Sequence, residues 1–250
     1  MEINFKNKLV VVTGGANGIG AASAILFLQA GAKVIIVDID HKAEEIVSKY
    51  NHNCVFIECN LSNSMEIERT FAEIKKIGEI DVLINNAGIQ TYGTVANITE
   101  ELWDMTIGIN LKAQFLCAKY ALPSLLISPH PVIINVASVN GIGSSANNAA
   151  YVASKAGILG LTKSIAVDFA PKLRCVAVCP GAVDTPMYQS DYDSALNKSQ
   201  FINEINSIHL LNRVASADEV ANFILFLSSP FASFATGHYF RVDGGIGIRI

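Results

Sequence analysis

From Leu9 to Val242, short apolar runs alternate with longer stretches of helical period, and that alternation leaves few folds open. Strands are expected at Leu9–Thr13, Val34–Val37, Val55–Ile57, Val82–Ile84, Val132–Val136, Val176–Cys179 and Tyr239–Val242. Several of these are apolar at successive positions and end at Gly or Asp, the pattern of parallel strands buried on both faces. Between them, Ala21–Ala30, Met65–Lys76, Glu101–Tyr120, Ala153–Phe169 and Asp218–Leu227 have the 3.6-residue period of helices. Strand, helix and parallel strand connect by right-handed crossovers. The expected fold is therefore α/β: a single-domain Rossmann-type doubly wound parallel sheet of about seven strands with helices on both faces. No repeat, low-complexity tract or Pro/Gly-rich linker divides residues 1–250, and Pro123, Pro129 and Pro131 mark one connection.

Composition narrows the setting. Hydrophobic residues make up 51% of the chain, which suits either a membrane protein or a sheet covered on both faces. A spanning helix needs about 20 consecutive apolar residues, and the sequence contains no such run. Met1–Lys8 lacks the charged, apolar, small order of a signal peptide, so a cytoplasmic chain without a membrane partner is expected. The five cysteines (Cys54, Cys59, Cys117, Cys175, Cys179) form no CxxC pair, so neither a metal site nor a disulfide framework is expected. Cys175 and Cys179 read instead as small buried residues flanking Val176-Ala177-Val178. A net charge of −4 opposes a nucleic-acid groove, which needs clustered Lys and Arg.

The first strand runs into Thr13-Gly14-Gly15-Ala16-Asn17-Gly18-Ile19-Gly20 and then an apolar helix. Glycines allow positive φ and bring a pyrophosphate close to the backbone, while the helix N-terminus offers unpaired N–H groups. A glycine-rich turn alone is weak evidence; a strand before it, a helix after it and an acid at the end of the next strand make it specific. That acid is Asp38. Its carboxylate can accept from the adenosine ribose hydroxyls and would repel the 2′-phosphate of NADP. NADP sites usually place Arg or Lys here, whereas this chain has Asn17 and Ile39, so the cofactor read from these residues is NAD. The competing reading is that Asp38 caps a helix beginning near His41.

The spacing TGxxxGxG over this chain length resembles the short-chain dehydrogenase/reductase family. Further motifs extend the resemblance along nearly the whole chain: Asn85-Asn86-Ala87-Gly88 after the fourth strand, Asn110 in the next helix and Ser138 at the end of the fifth strand. Tyr151-Val152-Ala153-Ser154-Lys155 and Pro180-Gly181, leading to Val183 and Thr185, complete it. Tyr151 and Lys155, four apart, share one helix face. A phenol titrates near 10, and a fixed ammonium beside it is expected to lower that value toward the operating pH. The resemblance implies that Tyr151 is the general acid/base and that Lys155 also holds the nicotinamide ribose. It further implies that Ser138 bonds the substrate oxygen and that Asn110 positions a water in a proton relay.

The same resemblance assigns cofactor contacts to Gly14, Asn17, Gly18, Ile19, Gly20 and Asp38, with Asn60 and Leu61 against adenine. The backbone of Val183 and the hydroxyl of Thr185 would meet the nicotinamide carboxamide, and Pro180 and Gly181 are further cofactor contacts. Asn86 and Gly88 fall at a strand end facing the ribose, and Asn86 reads equally as a pin between strands. For substrate, Gln90 and Asn140 join Ser138 and Tyr151 near the mouth, unless they are ordinary solvated loop residues. The stretches Asn85–Thr94 and Cys179–Met187 are most similar to relatives acting on sugars and sugar acids. A lid is expected over about 187–211, where Tyr188, Tyr192, Phe201, Ile205 and Ile208 either line the pocket or anchor the lid.

The function expected is NAD(H)-dependent interconversion of a secondary alcohol (sugar, polyol or hydroxy acid) and its carbonyl. The alternative is a 3-oxoacyl-thioester reductase, against which Asp38 counts. A hydrophobic steroid or lipid substrate ranks lower because of Gln90 and Asn140, and a non-catalytic scaffold because Asn110, Ser138, Tyr151 and Lys155 are all present. Relatives are usually homotetramers, so a homotetramer is expected, with Phe115, Ile158 and Leu161 compatible with its interface and equally with a monomeric core.

Overall fold

The computed structural model describes residues 3–248. In chain order the strands are β1 (Leu9–Thr13), β2 (Lys33–Asp38), β3 (Cys54–Glu58), β4 (Val82–Asn85), β5 (Val132–Val136), β6 (Arg174–Pro180), β7 (Val183–Asp184), β8 (Ala215–Ser216) and β9 (Tyr239–Val242). The helices are α1 (Gly18–Gln29), α2 (Ala43–Tyr50), α3 (Ser64–Ile77), α4 (Glu100–Ile107), α5 (Ala113–Leu125), α6 (Ala149–Phe169), α7 (Pro186–Ser194), α8 (Lys198–Ile208) and α9 (Ala217–Ser228). Seven strands form one parallel sheet in the order β3-β2-β1-β4-β5-β6-β9; β7 and β8 pair separately. The doubly wound reading of the sequence is the observed architecture.

The period of two along each strand divides the core into two layers. Val10, Val12, Val34, Ile36, Ile84, Ile134 and Val178 face one way, against Phe27 of α1, Ile46 of α2 and Ile224 of α9. Leu9, Val11, Ile35, Leu83 and Ile133 face the other, against Phe71 of α3, Leu116 of α5 and Ile165 of α6. Both faces are therefore buried, and this accounts for the continuous apolar runs. All five cysteines are buried and free. No helix among the described residues is long and apolar enough to cross a membrane.

The chain reverses strand order between β1 and β4, so the loops after these two strands open a crevice at their carboxyl ends, where doubly wound sheets bind ligands. Two sequence expectations need correction nearby. The stretch Glu101–Tyr120 is not one regular helix, because a π-helical turn at Gly108–Lys112 separates α4 from α5. Pro123 marks no connection but lies inside the last turn of α5.

Candidate active site

The glycine turn is shaped by close approach. Gly14 has φ +63°, and a Cβ there would lie 2.7 Å from the Ala87 Cα. A Cβ on Gly20 would run into the Gly14 carbonyl oxygen. Asn86 holds this junction: its Nδ2 donates to the carbonyls of Thr13 (3.1 Å) and Gly14 (2.9 Å), and its backbone N–H donates to the Thr13 hydroxyl. Of the two readings of Asn86, the strand pin is the one its amide nitrogen makes.

Asp38 does not cap α2. One carboxylate oxygen accepts from the Ala16 N–H at 2.9 Å, and the other accepts from the Ile39 and Asp40 N–H groups. It thereby ties the end of β2 to the glycine turn. Asp40 stands beside it, accepting from the Asn17 Nδ2 at 2.7 Å and from the Lys42 N–H at 2.9 Å. These bonds to Lys42 and Asn17 hold the Asp40 carboxyl below its usual range. Across the crevice, Asn60 spends its Oδ1 within its own turn, accepting from the Ser62 N–H and hydroxyl, while Leu61 packs partly against the core.

A cleft of about 1240 Å³ joins this end to the mouth. That exceeds the roughly 300–1,000 Å³ usual for a single small ligand, so it has room for a dinucleotide and a small substrate together. Its lining includes Gly14, Asn17, Gly18, Ile19, Asp38, Asn60, Leu61, Asn86, Gly88, Pro180, Gly181, Val183 and Thr185. Gly20, behind the turn, is not among the lining residues. At the mouth the lining continues with Gln90, Ser138, Asn140, Tyr151 and Lys155.

Tyr151 and Lys155 are buried on one face of α6, at 8% and 4% exposure. The Lys155 Nζ lies 5.6 Å from the Tyr151 ring centroid and donates to the Val136 carbonyl at 3.0 Å. Ser138 follows β5, accepts from the Asn140 N–H at 3.1 Å and hydrogen-bonds the Tyr151 hydroxyl. The expectation that Lys155 lowers the Tyr151 titration is reversed in this cleft. Burial raises Tyr151 above the usual phenol value, the Ser138 bond opposes that, and the Asp191 charge adds to it. Burial also lowers Lys155 to about 8. Desolvation acts against the charged form of each group, and Lys155 is directed at a carbonyl.

Asn110 sits in the π-helical turn and is fully buried. Its Oδ1 accepts from the Ile89 N–H at 2.8 Å, and its Nδ2 donates to the Ile89 carbonyl at 2.9 Å and the Ser154 hydroxyl at 3.1 Å. The side chain is thus a clasp on the loop after β4. Gly88 lies against this clasp, since a Cβ there would be 3.2 Å from the Asn110 Oδ1 and 3.4 Å from the Lys155 Nζ.

Four residues of the site escaped the sequence reading. An isolated bridge between Gly93 and Asn148 brings Tyr92 beside the start of α6. There the Gln90 Nε2 donates to the Tyr92 hydroxyl at 2.9 Å and, more weakly, to the Asn148 Oδ1 at 3.5 Å. Asp191 reaches the mouth from α7. His209 is buried behind it: its Nε2 accepts from the Ala182 N–H at 3.1 Å and its Nδ1–H donates to the Ile205 carbonyl at 2.8 Å. These bonds join the end of α8 to the Pro180–Thr185 loop. Only Asn148 carried a local signal, directly preceding the helix that holds Tyr151.

The expected lid stretch, 187–211, is mostly helical. Its aromatic residues do both things expected of them. Tyr188 and Tyr192 pack on Phe201 with ring centroids 5.5 and 6.1 Å apart, and Tyr188, Phe201, Ile205 and Ile208 line the cleft.

A doubly wound sheet with a glycine turn at its switch point and a Ser/Tyr/Lys group at its mouth defines an oxidoreductase of the Rossmann-type class. The family model described as enoyl-(acyl carrier protein) reductase matches residues 14–247. The chain is 35% identical to dehydrogenase/reductase SDR family member 6 of Aquarana catesbeiana, over 95% of this chain and 96% of that one. It is 34% identical to the 3-oxoacyl-(acyl-carrier-protein) reductase FabG of Thermotoga maritima, over 98% and 100%. Among solved structures, the ligand-free aldohexose dehydrogenase of Thermoplasma acidophilum superposes with a TM-score of 0.91 at 37% identity, covering 98% and 96% of the two chains. The chain belongs to the short-chain dehydrogenase/reductase family.

Proposed function

We propose that the protein is an NAD(H)-dependent oxidoreductase that interconverts a secondary alcohol of a sugar, polyol or hydroxy acid and its carbonyl. The observation that carries this reading is the buried Tyr151/Lys155 pair beside Ser138, in a cleft continuous with the glycine turn and Asp38. Similarity to an aldohexose dehydrogenase supports the sugar side of it. Similarity to a 3-oxoacyl reductase supports the alternative, a thioester ketone substrate. Asp38 and Asp40 favour the first, because together they oppose a 2′-phosphate, and Lys155 is the only cation among the described residues lining the cleft.

In this reading one domain carries both sites and residues 187–211 form the lid. The glycine turn, Asn17 and Asp38 would hold the pyrophosphate and adenosine ribose, Asn60 and Leu61 would border adenine, and Pro180–Thr185 would border the nicotinamide. When bound, the nicotinamide would supply the hydride acceptor or donor. Ser138 bonds the substrate oxygen. The Tyr151 hydroxyl takes the alcohol proton in oxidation and returns it in reduction. Lys155, titrating at about 8, holds the ribose and exchanges its proton near neutral pH. The wide lid helices exclude water from the mouth.

Cofactor choice is tested by comparing NAD(H) and NADP(H) for the parent and Asp38→Asn. The parent is expected to prefer NAD(H). Neutralising one of two like charges should narrow the preference by about tenfold to a hundredfold, each tenfold being about 1.4 kcal/mol. A parent preferring NADP(H) would overturn this and move the acyl-reductase reading ahead.

The same reading includes a homotetramer packed through α4–α5 and α6. Ile158 belongs to the interior, fully buried, so it contributes nothing to such a contact. Phe115 on α5 is 46% exposed, and Trp103, Met105 and Val167 add apolar surface on the same helices. Light scattering should give a mass near four chains; a monomer would refute the assignment.

A further inference from the structure

The polar groups at the mouth form a connected row. The Gln90 Nε2 reaches the Asn148 Oδ1 and donates to the Tyr92 hydroxyl, and that hydroxyl is directed to the Asp191 carboxylate, which lines the same mouth. Asp191 lies on α7, whose first turn is capped by the Thr185 hydroxyl, so its carboxylate is carried on the helix that closes the mouth. It stands close enough to Tyr151 for its charge to raise that phenol as well as Tyr92. On the cation side the row has no counterpart. Among the described residues lining the cleft, Lys155 is the only Lys, Arg or His, and it is buried and donates to the Val136 carbonyl. The other lining carboxylate, Asp38, is at the adenosine end.

We propose that Asp191, held by Tyr92 and Gln90, is a specificity-determining residue that selects neutral polyhydroxylated substrates and turns away those carrying a carboxylate. A carboxylate accepts hydrogen bonds only, so Asp191 suits a ligand that offers several O–H donors, and its bonds to them are charge-assisted. Gln90 and Asn148 supply further donors and acceptors around the same space. A hydroxy acid or sugar acid brings a second carboxylate into a mouth that already holds one, with no free cation to meet it. Selection then comes chiefly from repulsion of the wrong substrate. This inference rests on the proposed alcohol-oxidoreductase reading and narrows its three substrate classes to sugars and polyols.

The test uses matched pairs that differ in one group: D-glucose with D-glucuronate, D-galactose with D-galacturonate, and D-mannose with D-mannuronate. Each is measured by kcat/KM for the intact protein with NAD+. The parent is expected to favour the neutral member of the pair it accepts by at least about tenfold. Asp191→Asn should shrink that ratio by about tenfold or more, mainly through a lower KM for the acid. Should Asp191→Asn fail to fold, Tyr92→Phe removes the donor that holds Asp191 and should shift the ratio in the same direction. A parent that prefers the acids, or a ratio unmoved in the folded variants, overturns the inference. If the parent oxidises no member of any pair, the proposed function is what has failed, and calorimetric binding to the NADH-loaded protein then decides. Acids bound as tightly as their neutral partners would refute the selection by Asp191, and weaker binding of acids, restored in Asp191→Asn, would support it.

Discussion

Tyr151→Phe is expected to lower kcat by about a hundredfold to ten-thousandfold, the range of a lost general acid/base, while NADH binding stays close to that of the parent. The phenol is 8% exposed, so bulk water has poor access to the reacting oxygen and cannot readily replace it. Phe keeps the ring and its packing; only the hydroxyl and its bond to Ser138 are lost. The pH profile carries a sign of its own. Oxidation needs the phenolate, and burial and Asp191 hold the phenol above its usual value. The parent's oxidation rate should therefore climb with pH from neutral into the alkaline range, whereas the residual rate of Tyr151→Phe should lose that rise. The check is a steady-state profile alongside a fluorescence titration with NADH. A variant within about tenfold of the parent would remove Tyr151 from the mechanism, whatever else the cleft does.

The residues that seal this cleft were legible in the sequence to very different degrees. The sheet was legible because burial on both faces forces runs such as Val34–Val37 and Val132–Val136 to be apolar at every position, and few other structures need that. The glycine turn was legible because Gly14 and Gly20 leave no space for a Cβ. Local spacing also put Tyr151 and Lys155 on one face of α6. What it could not show is the environment: whether Lys155 points at a phenol or a carbonyl depends on β5, and burial depends on the whole fold. Asn110 illustrates the same limit, since its type and position were readable but its clasp on Ile89 is made across 21 residues of chain. Tyr92, Asp191 and His209 were invisible for a related reason. Tyr92 reaches the start of α6 through the Gly93–Asn148 bridge, Asp191 reaches the mouth on α7, and His209 reaches the Pro180–Thr185 loop from the end of α8, all placements with no sequence period.

Lys155→Met should separate function from stability. Turnover is expected to fall by on the order of a thousandfold, since the residue that borders the ribose and exchanges the proton is gone. The cofactor-free protein, in contrast, should become more stable at pH 7. Lys155 is 4% exposed, and burial brings its titration from 10.5 down to about 8. At about 1.4 kcal/mol per unit, holding that ammonium in the fold opposes folding by about 3 kcal/mol. Met fills a similar volume without charge, though the Val136 carbonyl loses its donor, which returns about 1 kcal/mol. The net expectation is a gain of about 1–2 kcal/mol in urea unfolding at pH 7. Between about 8 and 10.5 the unfolded chain keeps its lysine proton while the folded one has released it, so the parent gains stability as pH rises through that window. The variant lacks that gain, and the two proteins should converge by pH 10. Tyr151 acts in the opposite sense and only above about 10, where the unfolded phenol ionises first. A Lys155→Met protein less stable than its parent at pH 7 would mean that the ammonium is well solvated or partnered in the fold, and the burial argument for the whole mouth would fall with it.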